Sequence, residues 1–363
     1  MPDRRSFMKG LFAIGLCPSV TWADAGSPAF LSAARKPDGH YALFGISEKG
    51  RAIFEIALPG RGHAAAAHPE RPEAVAFARR PGNFAMALDC RTGETLSVLE
   101  APEGRHFYGH GAFSEDGRLL YTAENDYETA RGVIGIWQAD KGYTRLGEFA
   151  SHGVGPHDIK LLPDNKHFVI ANGGIETHPD SGREKLNIPT MQPSLAYVTL
   201  DGRLVEKVEL PQAMHKNSIR HLSLGEDGMV AFAMQWQGDV LNSPPLLGLH
   251  KLGGQVTLLE APDDQQRQLQ GYVGSVAIDT SRRLLAASSP RGGVVHQFDT
   301  ETGEFLGAVR ETDVCGLAMR NGKLARTSGA GIVCLSEEVA GMQMDRTRVT
   351  HPYQWDNHLV PIG

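Results

Sequence analysis

Histidines are the residues of this chain whose type and spacing could do chemistry. Five of its 15 histidines open short apolar runs in similar surroundings. They are His63 in Gly62-His63-Ala64-Ala65-Ala66, His110 in Gly109-His110-Gly111-Ala112-Phe113, His157 in Pro156-His157-Asp158-Ile159-Lys160, His221 in Arg220-His221-Leu222-Ser223-Leu224, and His358 in Asn357-His358-Leu359-Val360. Neutral imidazole is the commonest metal-binding side chain and suits iron, copper, zinc and nickel. A converging set therefore points to a transition metal. His106, His152 and His215 stand four to six residues ahead of a marker histidine and are expected to complete or orient the site. Spaced pairs of histidines occur by chance on many loops, so the shared register carries the argument.

The elements that must position these side chains are repeats. Gly274-Ser275-Val276-Ala277-Ile278 and Cys315-Gly316-Leu317-Ala318-Met319 occupy the same place as the histidine runs. Taking His63, His110, His157, His221, Ser275, Gly316 and His358 as markers gives seven starts, spaced by 47, 47, 64, 54, 41 and 42 residues. Three runs meet a turn signal (Asp116-Gly117, Asp164-Asn165, Asp227-Gly228) and then a second apolar run, the chemistry of a β-hairpin. A second hairpin closes several repeats, as in Asp89-Cys90-Arg91-Thr92-Gly93-Glu94 and Asp299-Thr300-Glu301-Thr302-Gly303-Glu304. Four-stranded units at this period are propeller blades, so the expected fold is an all-β, seven-bladed β-propeller. The first repeat, residues 30–59, lacks an innermost strand; residues 353–361 have the pattern to supply it and close the ring. One insertion, residues 172–193, accounts for the longest spacing.

Inner strands of a propeller run in one direction around the channel, so their first positions form a ring at one mouth. Loops after the second strands emerge on the same face. They bring Glu124-Asn125-Asp126, Gln235-Trp236-Gln237, Ser289-Pro290-Arg291, and Glu176, His178 and Arg183 of the insertion. Arg220 and Arg291 could bind an anion there or pair with Asp158 or Glu124; Asp158 and Glu124 are the acidic groups expected beside a bound cofactor. A slip of one residue decides whether His157 or Asp158 faces the channel. Two other readings stand beside metal binding. The histidines could hydrogen-bond between blades and only hold the ring together, or a metal or histidine could do acid–base work in a lactonase- or oxidoreductase-like enzyme. A metal-free interaction scaffold is a further alternative. His40, His68, His167, His250 and His296 fall in strands or turns away from the proposed mouth.

At the N-terminus, Arg4-Arg5-Ser6-Phe7-Met8-Lys9 is a twin-arginine pattern, followed by an apolar run over residues 11–20 and a small-residue cleavage site at Ala23-Asp24-Ala25. Residues 1–25 are thus expected to be an export signal and residues 26–363 a periplasmic propeller domain. The apolar run is too short to span a bilayer, so no membrane insertion of the mature chain is expected. Leu16 before Cys17 does not fit a lipobox. Removing residues 1–25 takes the formal charge from -6 to -7, which makes nucleic acid an improbable partner. Cys90, Cys315 and Cys334 are too few and scattered for a disulfide framework. There is no Gly-x-Ser-x-Gly elbow, Walker loop or Cys-x-x-Cys-His haem motif.

Several of these stretches resemble a bacterial family known as domain of unknown function 1513. The likeness runs through Arg61-Gly62-His63, His106-Phe107-Tyr108-Gly109-His110-Gly111, Gly155-Pro156-His157, Ala171-Asn172-Gly173-Gly174-Ile175, Lys185-Leu186-Asn187, Ser218-Ile219-Arg220-His221, Gly271-Tyr272-Val273-Gly274-Ser275 and Ser289-Pro290-Arg291-Gly292-Gly293. The resemblance implies a periplasmic propeller, often encoded beside imelysin-like and di-haem oxidoreductase-like proteins in clusters linked to iron uptake. On that implication the expected role is a component of metal acquisition that binds iron or copper.

Overall fold

The computed structural model describes residues 20–362 except Arg80, Pro81, Arg183, Val240, Ala340 and Gly341. The twin-arginine pattern, Cys17 and Arg183 lie outside the described residues. Seven antiparallel sheets follow one another along the chain, and in six of them the strands run from innermost to outermost in plain sequence succession. The inner strands of blades 2 to 7 are Gly62–Ala67, Arg105–Phe113, Pro156–Leu161, Asn217–Leu224, Ser275–Asp279 and Val314–Arg320. Blade 1 is built from both ends of the chain. Its Phe30–Arg35 strand pairs with Gln354–Trp355 and with Val360–Pro361, so the C-terminal segment is the inner strand, as the repeat pattern predicts.

Local turn chemistry explains the regularity. In both outer hairpins picked out by sequence, an aspartate accepts the backbone N–H groups two and three residues on. Asp89 Oδ1 takes Arg91 and Thr92 at 2.8 and 3.0 Å, and Asp299 Oδ1 takes Glu301 and Thr302 at 2.8 Å each. Helix is confined to short pieces such as Asp263–Gln266, and among the described residues no helix is long and apolar enough to cross a membrane.

The core lies between blades. Leu31 and Leu43 of blade 1 pack on Ala65, Ala76 and Leu88 of blade 2, and Trp22 joins them from a short turn at Trp22–Ala25. Its indole N–H donates to the carbonyl of His68 at 2.9 Å. Large buried side chains recur around the ring, among them Phe44, Phe77, Phe168, Phe232 and Phe298, each contributing about 1.5–3 kcal/mol by burial. The result is a rigid frame in which neighbouring inner strands touch around the axis.

Candidate metal centre

The markers fall where the inner strands break register. In blade 4, Pro156 pairs with Asn172 and Asp158 with Ala171, which leaves His157 unpaired. In blade 5 the unpaired residue is Arg220, and its neighbour His221 is back in the ladder opposite Ala233; the register shifts of blade 2, between Gly62 and Ala65, and of blade 3, between Phe107 and Gly111, span His63 and His110. Blade 1 does the same by interrupting its inner strand between Trp355 and Val360. A bulge frees the extra residue from the ladder and re-aims its side chain. Around the ring such a shift, or the break in blade 1, falls at or next to each of the five histidines, where their imidazoles come together.

His63, His110, His157, His221 and His358 consequently meet. The His110 ring touches all four others, with centroids 4.9, 5.0, 6.0 and 4.6 Å from those of His63, His157, His221 and His358. Those four form a closed circuit: His63 to His157 5.6 Å, His157 to His221 4.8 Å, His221 to His358 4.9 Å and His358 to His63 4.5 Å. The arrangement is a ring of four imidazoles capped by a fifth. Two triads sharing His110, one with His63 and His358 and one with His157 and His221, have donor atoms within 4.8 Å of one another and could hold a metal ion.

The ring is lopsided for a steric reason. A side chain at Gly316 would run into the backbone of His358 and Leu359, 2.6–2.8 Å away, so blade 7 must yield to the closing segment. Ser275 in blade 6 instead accepts the N–H of Leu317 at 3.0 Å and ties two blades together.

All five histidines are buried, and their nitrogens are poorly satisfied. Two ring nitrogens come within hydrogen-bond range of each other, His110 Nε2 and His63 Nε2, at 3.3 Å. His63 Nδ1, His157 Nδ1, both nitrogens of His221 and Nε2 of His358 have no hydrogen-bond partner. Buried polar groups in native proteins are nearly always satisfied; His68 and His296, away from the cluster, also have unpartnered nitrogens, but among the described residues several of them converge only in the cluster. Two nitrogens bound about 2.0–2.1 Å from one ion at a tetrahedral angle stand roughly 3.3 Å apart, which matches the contact seen. Burial, with neighbouring imidazoles and arginines, pushes His63, His157 and His358 well below their ordinary value and His221 down to about 3. Each is therefore neutral at pH 7 and carries a lone pair to donate.

Asp158 and His157 both serve the site, from opposite sides. His157 faces a mouth cavity of about 300 Å³, whose wall also includes His63, Arg79, Tyr108, Lys185, Arg220, His221 and Tyr272. Asp158 faces a second cavity of about 270 Å³ deeper in the channel, with His110, Lys160, His221 and His358. The cluster separates the two. Asp158 Oδ1 lies 3.2 Å from His110 Nδ1 and 3.6 Å from Lys160 Nζ. Burial would raise its carboxyl, but Lys160 and the hydrogen-bonded His110 outweigh that and hold it well below the usual carboxylate range.

Other expected site residues sit elsewhere. His106 is flanked by the rings of Tyr108 and Tyr127, at 5.3 and 5.8 Å. His152, held at φ 58°, meets the Gly202 carbonyl at 3.0 Å, and His215 Nδ1 meets the Gln212 carbonyl at 2.9 Å. His106 lies in the inner strand of blade 3 paired with Asn125, ahead of the register shift, while His152 and His215 lie in connections, and none of the three joins the cluster. Glu124 is removed as well: it is fully buried in blade 3, in a two-point ion pair with Arg145 at 2.8 and 3.0 Å and a hydrogen bond from Thr122. Neither Arg220 nor Arg291 pairs with it. Arg291 lies over the Tyr272 ring at 4.5 Å, beside the mouth. From the insertion, Thr177 and Lys185 reach the cavity, whereas His178 packs on Tyr127. Cys315 donates to the Asp313 carbonyl at 3.1 Å, and burial pushes its thiol up to about 12, which leaves no thiolate ligand.

Sequence reasoning passed over Arg79, Tyr108, Lys185, Tyr272 and Asn357. Four of them stand in or beside the conspicuous stretches His106–Gly111, Lys185–Asn187, Gly271–Ser275 and Asn357-His358. Arg79 carries no such signal; it reaches the site through Asp356, whose carboxylate binds Arg79 at 2.7 Å and Arg61 at 2.5 Å one residue before Asn357.

Among solved structures, the chain is similar to Kuenenia stuttgartiensis hydrazine synthase, at 13% identity and TM-score 0.59 over 89% of this chain and 96% of that one. It is also similar to a chain of a mitotic checkpoint complex, at 10% identity and TM-score 0.55 over 79% and 76%. At such identities the likeness is one of fold alone. No curated protein sequence matches the chain. Residues 56–362 match the family described as protein of unknown function DUF1513, and the chain belongs to that family.

Proposed function

We propose that this protein is an exported metal-binding propeller that holds a transition-metal ion, iron or copper, on His63, His110, His157, His221 and His358 as part of metal acquisition. The observation that carries this reading is the convergence of five buried imidazoles in two triads whose donor atoms lie within 4.8 Å of one another, with His63, His157, His221 and His358 held neutral. An imidazole-only donor set suits iron and copper, while magnesium and calcium require oxygen. Asp158 supports the reading as the outer carboxylate that fixes a ligating imidazole, a feature common around protein-bound metals. The twin-arginine pattern supports a periplasmic location, and the family resemblance supports work beside imelysin-like or di-haem oxidoreductase-like proteins.

The deciding measurement is metal content by mass spectrometry on untagged protein exported through its own signal. Near-stoichiometric iron or copper is expected, and it should be lost from a folded variant carrying His110→Ala, His157→Ala and His221→Ala. A folded wild type that stays metal-free after incubation with either ion would sink the reading.

A further inference from the structure

The wall of the mouth cavity has a charge pattern that histidine ligation alone does not explain. Arg79, Lys185 and Arg220 line it, and among its described lining residues there is no carboxylate. Arg291 adds a fourth cation beside Tyr272. Asp356 is not in the wall and is shared by Arg61 and Arg79, so this group of three keeps a net positive charge. Lys185 is held in place by a hydrogen bond to Gln237 at 2.5 Å, and burial together with Arg220 and Arg291 lowers its ammonium pKa. The field in the cavity is therefore positive.

This pattern conflicts with a metal ion bound only by neutral ligands. Five imidazoles leave the whole charge of the ion in place within a buried site, and Asp158 offsets at most one unit from the far side. Cations aimed at such a site across about 300 Å³ of cavity would repel the ion. An anion between them removes the conflict, because it is attracted from both sides. The remaining wall indicates what kind of anion: Tyr108, Ile175 and Tyr272 give it apolar and aromatic faces, while Gln235, Thr177 and Asn357 offer neutral hydrogen-bonding groups. The space is larger than a bare phosphate or sulfate requires and suits a small organic acid.

We infer that the mouth cavity binds a small organic polycarboxylate, with one carboxylate held by Lys185 and Arg220 and another completing the coordination of a metal ion on the histidine ring. The bridging part of this assignment rests on the proposed metal site; the capture of the anion does not. Lys185 arrives on the insertion of blade 4, Arg220 on the bulge of blade 5 and Tyr272 on the loop entering blade 6, so three successive blades contribute to the cavity wall.

The test uses citrate as the probe, titrated calorimetrically into the full mature protein with and without bound metal, with inorganic phosphate as the comparison. Citrate should bind the loaded protein, and Lys185→Met and Arg220→Gln should each weaken it at least about tenfold without lowering metal content. Thermal melting shows that the variants are folded. Affinity that neither substitution changes, phosphate binding as tight as citrate, or loss of the metal to citrate would each overturn the assignment. The two readings fail separately. A protein that takes up no metal yet binds citrate through Lys185 and Arg220 refutes the metal site and keeps the anion site; a loaded protein indifferent to citrate does the reverse.

Discussion

The Asp158 carboxylate lies 3.2 Å from Nδ1 of His110, and its other oxygen accepts the backbone N–H of Leu222 at 3.0 Å. One side chain thus ties blade 4 to blade 5 and fixes the capping imidazole. With Nδ1 on Asp158, His110 turns its Nε2 toward the cluster, 3.3 Å from Nε2 of His63.

Two substitutions separate these roles. Asp158→Asn can still accept one bond but loses the charge that makes His110 a stronger donor, so metal affinity should fall roughly 10- to 100-fold with little loss of fold. Asp158→Ala also strands the Leu222 N–H and should destabilise the protein by about 1–3 kcal/mol. Competition with a chromophoric chelator reads the first effect and urea unfolding the second. Equal metal affinity in wild type and Asp158→Asn would show that the carboxylate serves the blades alone.

The buried imidazoles make a prediction about acid. His221 titrates near 6.5 when unfolded and is held down to about 3 in the fold, with His63, His157 and His358 shifted the same way. Between those values the unfolded chain binds more protons than the folded one, so stability rises with pH across the window and is lost as pH falls through it. Metal-free protein should therefore unfold at progressively lower urea between pH 7 and pH 4. His221→Gln should flatten that slope; an unchanged slope would mean that His221 is solvated.

Gly109 shows how closely the backbone approaches the cluster. It sits at φ +101°, and a Cβ there would lie 2.6 Å from Cδ2 of His63. Gly109→Ala should cost about 1–2 kcal/mol in backbone strain and also displace His63. Urea unfolding and metal content should fall together; loss of stability with full metal content would show that His63 is dispensable as a ligand.

The blade count, the closing strand and the five converging histidines were legible because a propeller repeats one register, and matched positions in sequence become neighbours in space. His152 and His215 were not separable from them, since a connecting loop has no register to read and its course depends on local backbone such as the positive φ of His152; His106 was not, because the early start of its strand at Arg105 and the register shift after Phe107 leave no mark in the sequence. The bulges were visible only as doubt over His157 and Asp158. The structure removes that doubt by sending one residue to each cavity. Glu124 looked available because Arg145, its partner across the blade, stands 21 residues away with no pattern linking the two.

Ring closure supplies the last prediction. Asp356 is buried next to Asn357 and His358, and it joins Arg61 and Arg79 from a point almost 300 residues further along the chain. Ser32 donates to the His358 carbonyl at 2.8 Å, so blade 1 and the histidine cluster share this closure. Asp356→Asn keeps the shape but leaves two arginines facing each other. Because Arg61 is half exposed and screened, the cost should be nearer about 1–3 kcal/mol than the larger loss of a fully buried pair. His358 should shift as the closing segment loosens, so metal affinity should fall along with the unfolding midpoint. Asp356→Asn combined with Arg61→Gln should recover part of the stability, since it removes the unpaired charge. Failure of that rescue would mean that Asp356 acts through the segment's backbone, where it also accepts the Asn357 N–H at 2.8 Å, and not through the arginines.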